Sequence, residues 1–223
     1  MNEIIPQTIN QIILVDKPVG ISSFDCIRNL KREFPRKTKI GHAGTLDPFA
    51  SGLMLILIGS ATKRQDEIHK LKKVYQVFAK FNASTNSYDR TGKIVDTDTL
   101  IFSKEDIENC ILENFTGNIK QTPPSFSAVH VNGRRAYDLA RKGIDFKLSQ
   151  KEVSVYSFKI LKFEYPFVEF EIECGSGTYI RSLVHDLAKK LGGNAYCEKL
   201  RRISIGEYNI KDAIKLKGEN YEG

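Results

Sequence analysis

Cysteine and histidine are scarce in this sequence, and neither clusters. Cys26, Cys110, Cys174 and Cys197 are far apart, with no CxxC pair. That pattern fits reduced thiols in a cytoplasm and excludes a disulfide scaffold. His42, His69, His130 and His185 are equally dispersed, so no metal-ligand spacing is present and no metal is expected. Long apolar runs are missing too. The longest is Leu53–Ile58, far short of the roughly 20 residues that span a bilayer. Residues 1–10 show no basic segment leading into an apolar one, so no export signal is expected. No repeat, low-complexity tract or linker is visible. Gly175-Ser176-Gly177 lacks the Gly-Lys-Ser/Thr ending of a nucleotide-binding loop.

What is present is an ordinary globular composition with a basic excess. The 223 residues are 41% hydrophobic and 27% charged, and 34 Lys and Arg outnumber 27 Asp and Glu, for a net charge of +7. The excess gathers at Arg28–Lys39, Lys63–Lys73, Arg134–Lys151 and Lys189–Arg202. Any one of these reads as a solvated helix face. Four together point to a track for phosphates, without distinguishing DNA from RNA.

Periodicity supplies the elements. Gln11–Val15 reads as a strand ending in a turn at Asp16-Lys17-Pro18. Ser22 or Ser23 caps a helix with Phe24, Ile27, Leu30 and Phe34 on its apolar side, stopped by Pro35. Ile40–Gly52 has no clean period and reads as a long loop, a common place for function. Leu53–Ile58 and Val74–Phe81 read as strands with a partly helical basic segment between them. Ser103 to Asp106 resembles a capping box before a helix carrying Ile107, Ile111 and Phe115. Val153–Cys174 reads as a hairpin broken near Tyr165-Pro166, with Val168, Phe170, Ile172 and Cys174 on one face. Thr178–Leu191 is the clearest helix, with Ile180, Leu183, Val184, Leu187 and Leu191 in one stripe and Gly192-Gly193 as its stop. Strands outnumber helices without alternating regularly with them. The expected class is α+β on a mixed, mainly antiparallel sheet.

Two residues stand out chemically. Asp47 lies in Gly41-His42-Ala43-Gly44-Thr45-Leu46-Asp47-Pro48, where glycines let a polyanion approach the backbone. Its plainer reading is a turn-initiating Asp before Pro. Arg181 sits in the first turn of the clearest helix, beside the apolar stripe. An arginine there needs a carboxylate partner, unless it lies at the rim and reaches solvent.

Taken in order, the motifs resemble the TruB family of tRNA pseudouridine synthases. The segments are Leu14 to Ser23, Gly41 to Leu53, Lys73-Val74-Tyr75, Pro123 to Ala128, Gly177 to Leu183, and Leu200-Arg201-Arg202. The resemblance implies a pseudouridine synthase fold in one catalytic domain over residues 1–223. Helices would flank the sheet, with an RNA-gripping insertion at about 121–152 and no C-terminal PUA-type domain. It implies conversion of uridine to pseudouridine at position 55, in the T-loop of tRNA, with no cofactor or metal. By the same resemblance Asp47 is the nucleophile, Arg181 its cationic partner, and Tyr75 the ring on which the flipped base stacks. His42, Tyr179, Leu200 and Lys17 are expected to contact substrate. Extrusion of the base is required because its reacting atoms are shielded within a folded T-loop. The implied partner is the T-arm of tRNA, met by a cytoplasmic monomer with no guide RNA and no membrane.

Some positions depart from the family pattern: Ala43 for a frequent Thr, Phe126 for Tyr, His130 for Lys, and a loose Thr85-Asn86-Ser87-Tyr88-Asp89 element. None removes Asp47 or Arg181. The alternative is a non-catalytic tRNA-binding or tRNA-folding module on the same scaffold.

Overall fold

Leu53–Ile58 shows no polar alternation because both faces of that strand are covered: each of its six side chains is 0% exposed. Burial on that scale stabilises the fold by roughly 1.5–3 kcal/mol per large side chain. The computed structural model describes residues 10–216, so the reading of residues 1–9 lies outside the described residues. In chain order the first elements are β1 (Gln11–Lys17), α1 (Ser23–Lys31), β2 (Ile40–Ala43), β3 (Ser51–Ile58), a 3-10 segment (Gly59–Arg64) and α2 (Gln65–Lys70). There follow β4 (Lys73–Phe81), β5 (Ala83–Thr85), β6 (Ile94–Thr97), α3 (Lys104–Asn114), β7 (Gly117–Gln121), β8 (His130–Val131), β9 (Arg134–Arg135) and α4 (Ala136–Arg141). The last are β10 (Lys151–Glu164), β11 (Phe167–Cys174), α5 (Ile180–Lys190), β12 (Ala195–Ile205), β13 (Tyr208–Asn209) and β14 (Ile214–Lys215). Pairing is mixed and mainly antiparallel, on an α+β pattern, as the sequence indicates.

The described residues divide into two compact units, 10–74 with 201–216, and 75–200. In the first, β3 is the axis. It pairs antiparallel with β1 from Lys17↔Gly52 to Gln11↔Ile58. On its other side it pairs with β2 over Leu55–Ile58 and, in parallel, with Arg201 and Arg202 of β12 at Ser51 and Gly52. Leu53, Leu55 and Leu57 pack on Ala43, Ala61, Ile68 and Ile205. In the second unit β10 and β11 form the long hairpin, turning at a cis Tyr165-Pro166 bond, and β7 joins the far side of β10. Val168, Phe170, Ile172 and Cys174 are buried on one face, and Ile180, Leu183, Val184 and Leu187 of α5 are buried as expected.

Several expectations need correction. The stretch Ile40–Gly52 is not all loop, because Ile40–Ala43 completes a ladder against β3. A four-residue strand containing a glycine carries too short a period to read. Helix α1 ends at Lys31 rather than at Pro35, since Glu33 and Phe34 turn back to the carbonyls of Leu30 and Lys31. Its buried side is Ser23, Cys26, Ile27 and Leu30. Phe24 is therefore off the stripe, 60% exposed, with the Arg28 guanidinium over its ring. Helix α5 starts at Ile180, two residues late, because Gly175–Tyr179 forms the turn that enters it.

The basic clusters also separate into kinds. The basic residues of 28–39 and 134–151 are all exposed. In the other two clusters, Lys73 and Arg202 are buried at 5% and 1% and serve the interior rather than a phosphate track. All four cysteines are free and buried, and burial pushes the Cys26 thiol up to about 11, so it is a packed apolar group.

Candidate active site

The two units each hold part of the expected residue set. In the first unit, the residues between β2 and β3 form a short loop carrying Asp47. Its fixed shape follows from where its backbone hydrogen bonds go. Ser23 Oγ donates to the Leu46 carbonyl at 2.9 Å and accepts from Leu46 N at 2.8 Å. Gly20 N donates to the Pro48 carbonyl at 2.8 Å, and Ala50 N closes a turn on the Asp47 carbonyl at 3.1 Å. Leu46, Phe49 and Ala50 anchor the loop in the core, while Asp47 between them is half-buried. The plain reading of Asp47 as a turn-former is thus correct.

Lys17 departs from expectation. Its side chain is 0% exposed, and Nζ donates to the carbonyls of Pro18 at 2.9 Å, Ile21 at 2.8 Å and Pro48 at 3.5 Å. A wholly buried ammonium cannot touch a docked RNA. Lys17 instead ties the turn after β1 to the Asp47 loop. Burial pushes its pKa down to about 8, against the attraction of Cys26 and Asp47, while Arg202 pushes it lower. His42 lies on β2, half-buried, with its pKa held below the usual 6.5 by burial and by Arg202. Its ring is neutral at pH 7, and Nδ1 is buried without a hydrogen-bond partner.

In the second unit Arg181 occupies the first turn of α5 and is 3% exposed, which excludes the solvent-rim reading. Nη1 donates to the Ser87 carbonyl at 2.7 Å and meets Asp89 Oδ2 at 3.2 Å, and Nη2 donates to the Phe126 carbonyl at 2.9 Å. The expected carboxylate exists: it is Asp89, at the end of the loose Thr85–Asp89 element. Asp89 Oδ1 in turn accepts from Ser87 Oγ at 2.9 Å, Thr91 N at 2.9 Å and Thr91 Oγ1 at 2.5 Å, so the carboxyl group is held in one orientation.

The entry to α5 is fixed by Gln121 at the end of β7. Its side chain donates to the Tyr179 carbonyl at 2.9 Å and accepts from Tyr179 N at 2.8 Å. Ser182 Oγ donates to the Thr122 carbonyl at 2.8 Å. Tyr179 and Arg181 are therefore set by one rigid junction. Tyr75 on β4 and Leu200 on β12 are buried on neighbouring strands. Sequence reasoning missed Asp89, Gln121, Ser23 and Arg202 as site-building residues. Ser23, Asp89 and Arg202 had a signal, since each lies in a segment already singled out.

Comparison with known proteins decides the family. The family model described as TruB family pseudouridylate synthase (N terminal domain) matches residues 31–180. A protein of Clostridium acetobutylicum named tRNA pseudouridine synthase B is 42% identical over 209 residues, covering 94% of this chain and 72% of the relative. This chain belongs to the TruB family. A TruB relative of the same name from Chlamydia abortus is 45% identical over 204 residues, covering 91% of this chain and 86% of its own length. Among solved structures, a chain in a Cbf5–Nop10–Gar1 complex superposes with a TM-score of 0.70 at 26% identity, over 94% of this chain. This TruB chain spans about half of that one (53%). Among the described residues no helix is long and apolar enough to cross a membrane.

Proposed function

We propose that this chain isomerises uridine to pseudouridine in tRNA, at position 55 in the T-loop. The observation that carries the reading is the Asp47 loop, a half-exposed carboxylate on backbone held rigid by buried Ser23 and Lys17. A carboxylate nucleophile must be ionised and fixed, and the attraction between Lys17 and Asp47 favours the charged form. In the proposed reaction the base is flipped out of the loop and the bond from ribose to nitrogen breaks. The base then turns and rejoins through carbon 5, whose proton leaves to solvent. Asp47 attacks the target nucleotide and forms a bond that is broken again by the end of the cycle, which returns the free carboxylate; Arg181 supplies the cationic partner group, and Tyr75 stacks on the extruded base. His42, Tyr179 and Leu200 line the binding site. The exposed basic residues of 28–39 and 134–151 contact phosphates of the T-arm. The naming of relatives as tRNA pseudouridine synthase B supports tRNA as substrate.

The test is tritium release from a tRNA transcript labelled at carbon 5 of uridine. Release is expected from the full transcript, and none after the T-loop uridine is replaced by cytidine. Tight binding of both transcripts with no release from either would sink the catalytic reading and favour a non-catalytic RNA-binding module.

A further inference from the structure

Arg202 is among the largest wholly buried side chains of the described residues, 1% exposed, although it carries a full charge. Its contacts explain why it is tolerated there. Nε donates to the Leu53 carbonyl at 2.7 Å, and Nη2 donates to the Gly44 carbonyl at 3.1 Å while lying 3.2 Å from Met54 Sδ. Gly44 and Leu53 are the two stems of the segment that carries Asp47. The main chain of Arg202 closes the same place from another side. It pairs in parallel with Gly52, whose φ is +108°, and a Cβ there would stand 2.6 Å from Arg202 N. Glycine at position 52 is required by that approach. At Gly44 a Cβ would stand 3.4 Å from Arg202 Nη1, so the guanidinium also packs on the first stem.

A planar fork that donates in fixed directions suits this job in a way an ammonium does not. One residue spans the loop by side chain and seals it by backbone. The surroundings feel its charge as well, since Arg202 lowers the pKa of both His42 and Lys17, which lie on the strand before the loop and beneath its Pro48 carbonyl.

We propose that Arg202 is a positioning residue for Asp47: its guanidinium sets the spacing of the Gly44 and Leu53 stems and thereby the reactive geometry of the carboxylate between them. The proposal rests on Asp47 being the nucleophile. It goes further by assigning the shape of the catalytic loop to an arginine that touches no substrate. A core arginine with only a structural role would change stability and leave turnover of the folded enzyme alone.

The experiment compares Arg202→Lys and Arg202→Met with the unaltered protein, at a temperature where circular dichroism shows each folded. Amide exchange of residues 44–53 is measured without RNA, and kcat and KM are measured by tritium release. The loop amides of both variants are expected to exchange faster while those of β1 are unchanged. Turnover is expected to fall by about 10²-fold, the scale of a displacement near 1 Å. KM should stay within about threefold, because binding contacts elsewhere survive. Lys should recover only part of the loss.

Folded variants with unchanged kcat, or a loss confined to KM, would overturn the proposal. If neither variant folds, Arg202→Gln, which keeps a planar donor in the same place, is put to the same split between kcat and KM. Absence of tritium release from the unaltered protein would defeat the functional reading instead. The exchange measurement would then still report whether Arg202 holds the loop.

Discussion

The two units bury their cations in opposite ways. In the first, the hydrogen bonds of Lys17 and Arg202 run to main-chain carbonyls of the turns around Asp47. In the second, Arg181 also donates to the carbonyls of Ser87 and Phe126, but it meets a side-chain partner in Asp89, which is itself held by Ser87 and Thr91. The difference is instructive. Carbonyl dipoles stabilise a buried charge without cancelling it, so the loop of the first unit keeps a positive field that attracts an anion. A carboxylate fixes the direction of the cation, which suits a guanidinium that must hold one orientation. In the proposed reaction the first arrangement prepares the nucleophile, and the second aims the cation.

The largest test of this contrast removes the anion of the first unit. Asp47→Asn is expected to cut turnover by at least about 10⁴-fold, as for a lost catalytic nucleophile or its base. Affinity for tRNA should change little, because shape is conserved. Residual activity within tenfold of the unaltered enzyme would remove the nucleophile assignment. Arg181→Lys comes next. It keeps the charge but cannot reach Ser87, Asp89 and Phe126 together, and a loss of about 10²-fold is expected from the misplacement. A full-rate Lys variant would show that charge alone suffices in the second unit.

Stability separates the units further. Asp89→Ala strands a buried guanidinium and is expected to cost about 3–5 kcal/mol. Lys17→Met removes the buried charge together with its desolvation cost and leaves carbonyls short of a donor. Its expected cost is lower, about 1–3 kcal/mol. Chemical denaturation of both variants at pH 7 checks the order. If Lys17→Met proves the more damaging, carbonyl dipoles bind the cation more strongly than the carboxylate does, and the contrast is reversed.

How much of this was legible in the sequence depended on the range of the contacts involved. The capping box at Ser103 is local and was readable, as was the period-two face of Val168 to Cys174, while the cap of α1 was narrowed only to Ser22 or Ser23 and the structure shows it to be Ser22. Asp47, Tyr75 and Arg181 were legible because ordered motifs carry them. The roles of Lys17 and Arg202 were not. A lysine or arginine near a glycine-rich segment looks equally like a phosphate contact, and only the fold shows that β3 lies across it. Asp89 stands 92 residues from Arg181, and no spacing rule joins them. Phe24 failed for a subtler reason, since a nine-residue helix is too short for its apolar phase to be fixed to better than one position.

The smallest expected net effect in the unaltered protein concerns two neighbours on α5 whose titrations oppose each other within the second unit. His185 stacks on Tyr88 with ring centroids 3.8 Å apart, and burial with the nearby Lys189 pushes its pKa from 6.5 to about 4. Burial pushes Asp186 from 3.8 up to about 6. Between pH 4 and 6.5 the unfolded chain holds the extra proton on His185, so that group makes stability rise with pH. Between pH 3.8 and 6 the folded chain holds the extra proton on Asp186, so that group makes stability fall. Each swing is about 3 kcal/mol. In the unaltered protein the two nearly cancel, and this pair contributes little net slope. Asp186→Asn removes the falling limb and should leave a steeper rise across that window. His185→Phe keeps a ring on Tyr88, removes the rising limb and should expose a fall. Because each variant is compared with the unaltered protein, the other carboxylates drop out of the difference. Unfolding free energies at three pH values between 4 and 6.5 decide the matter. Parallel curves for all three proteins would mean that both groups are solvated in the folded state, and that the Tyr88 stack leaves His185 open to water.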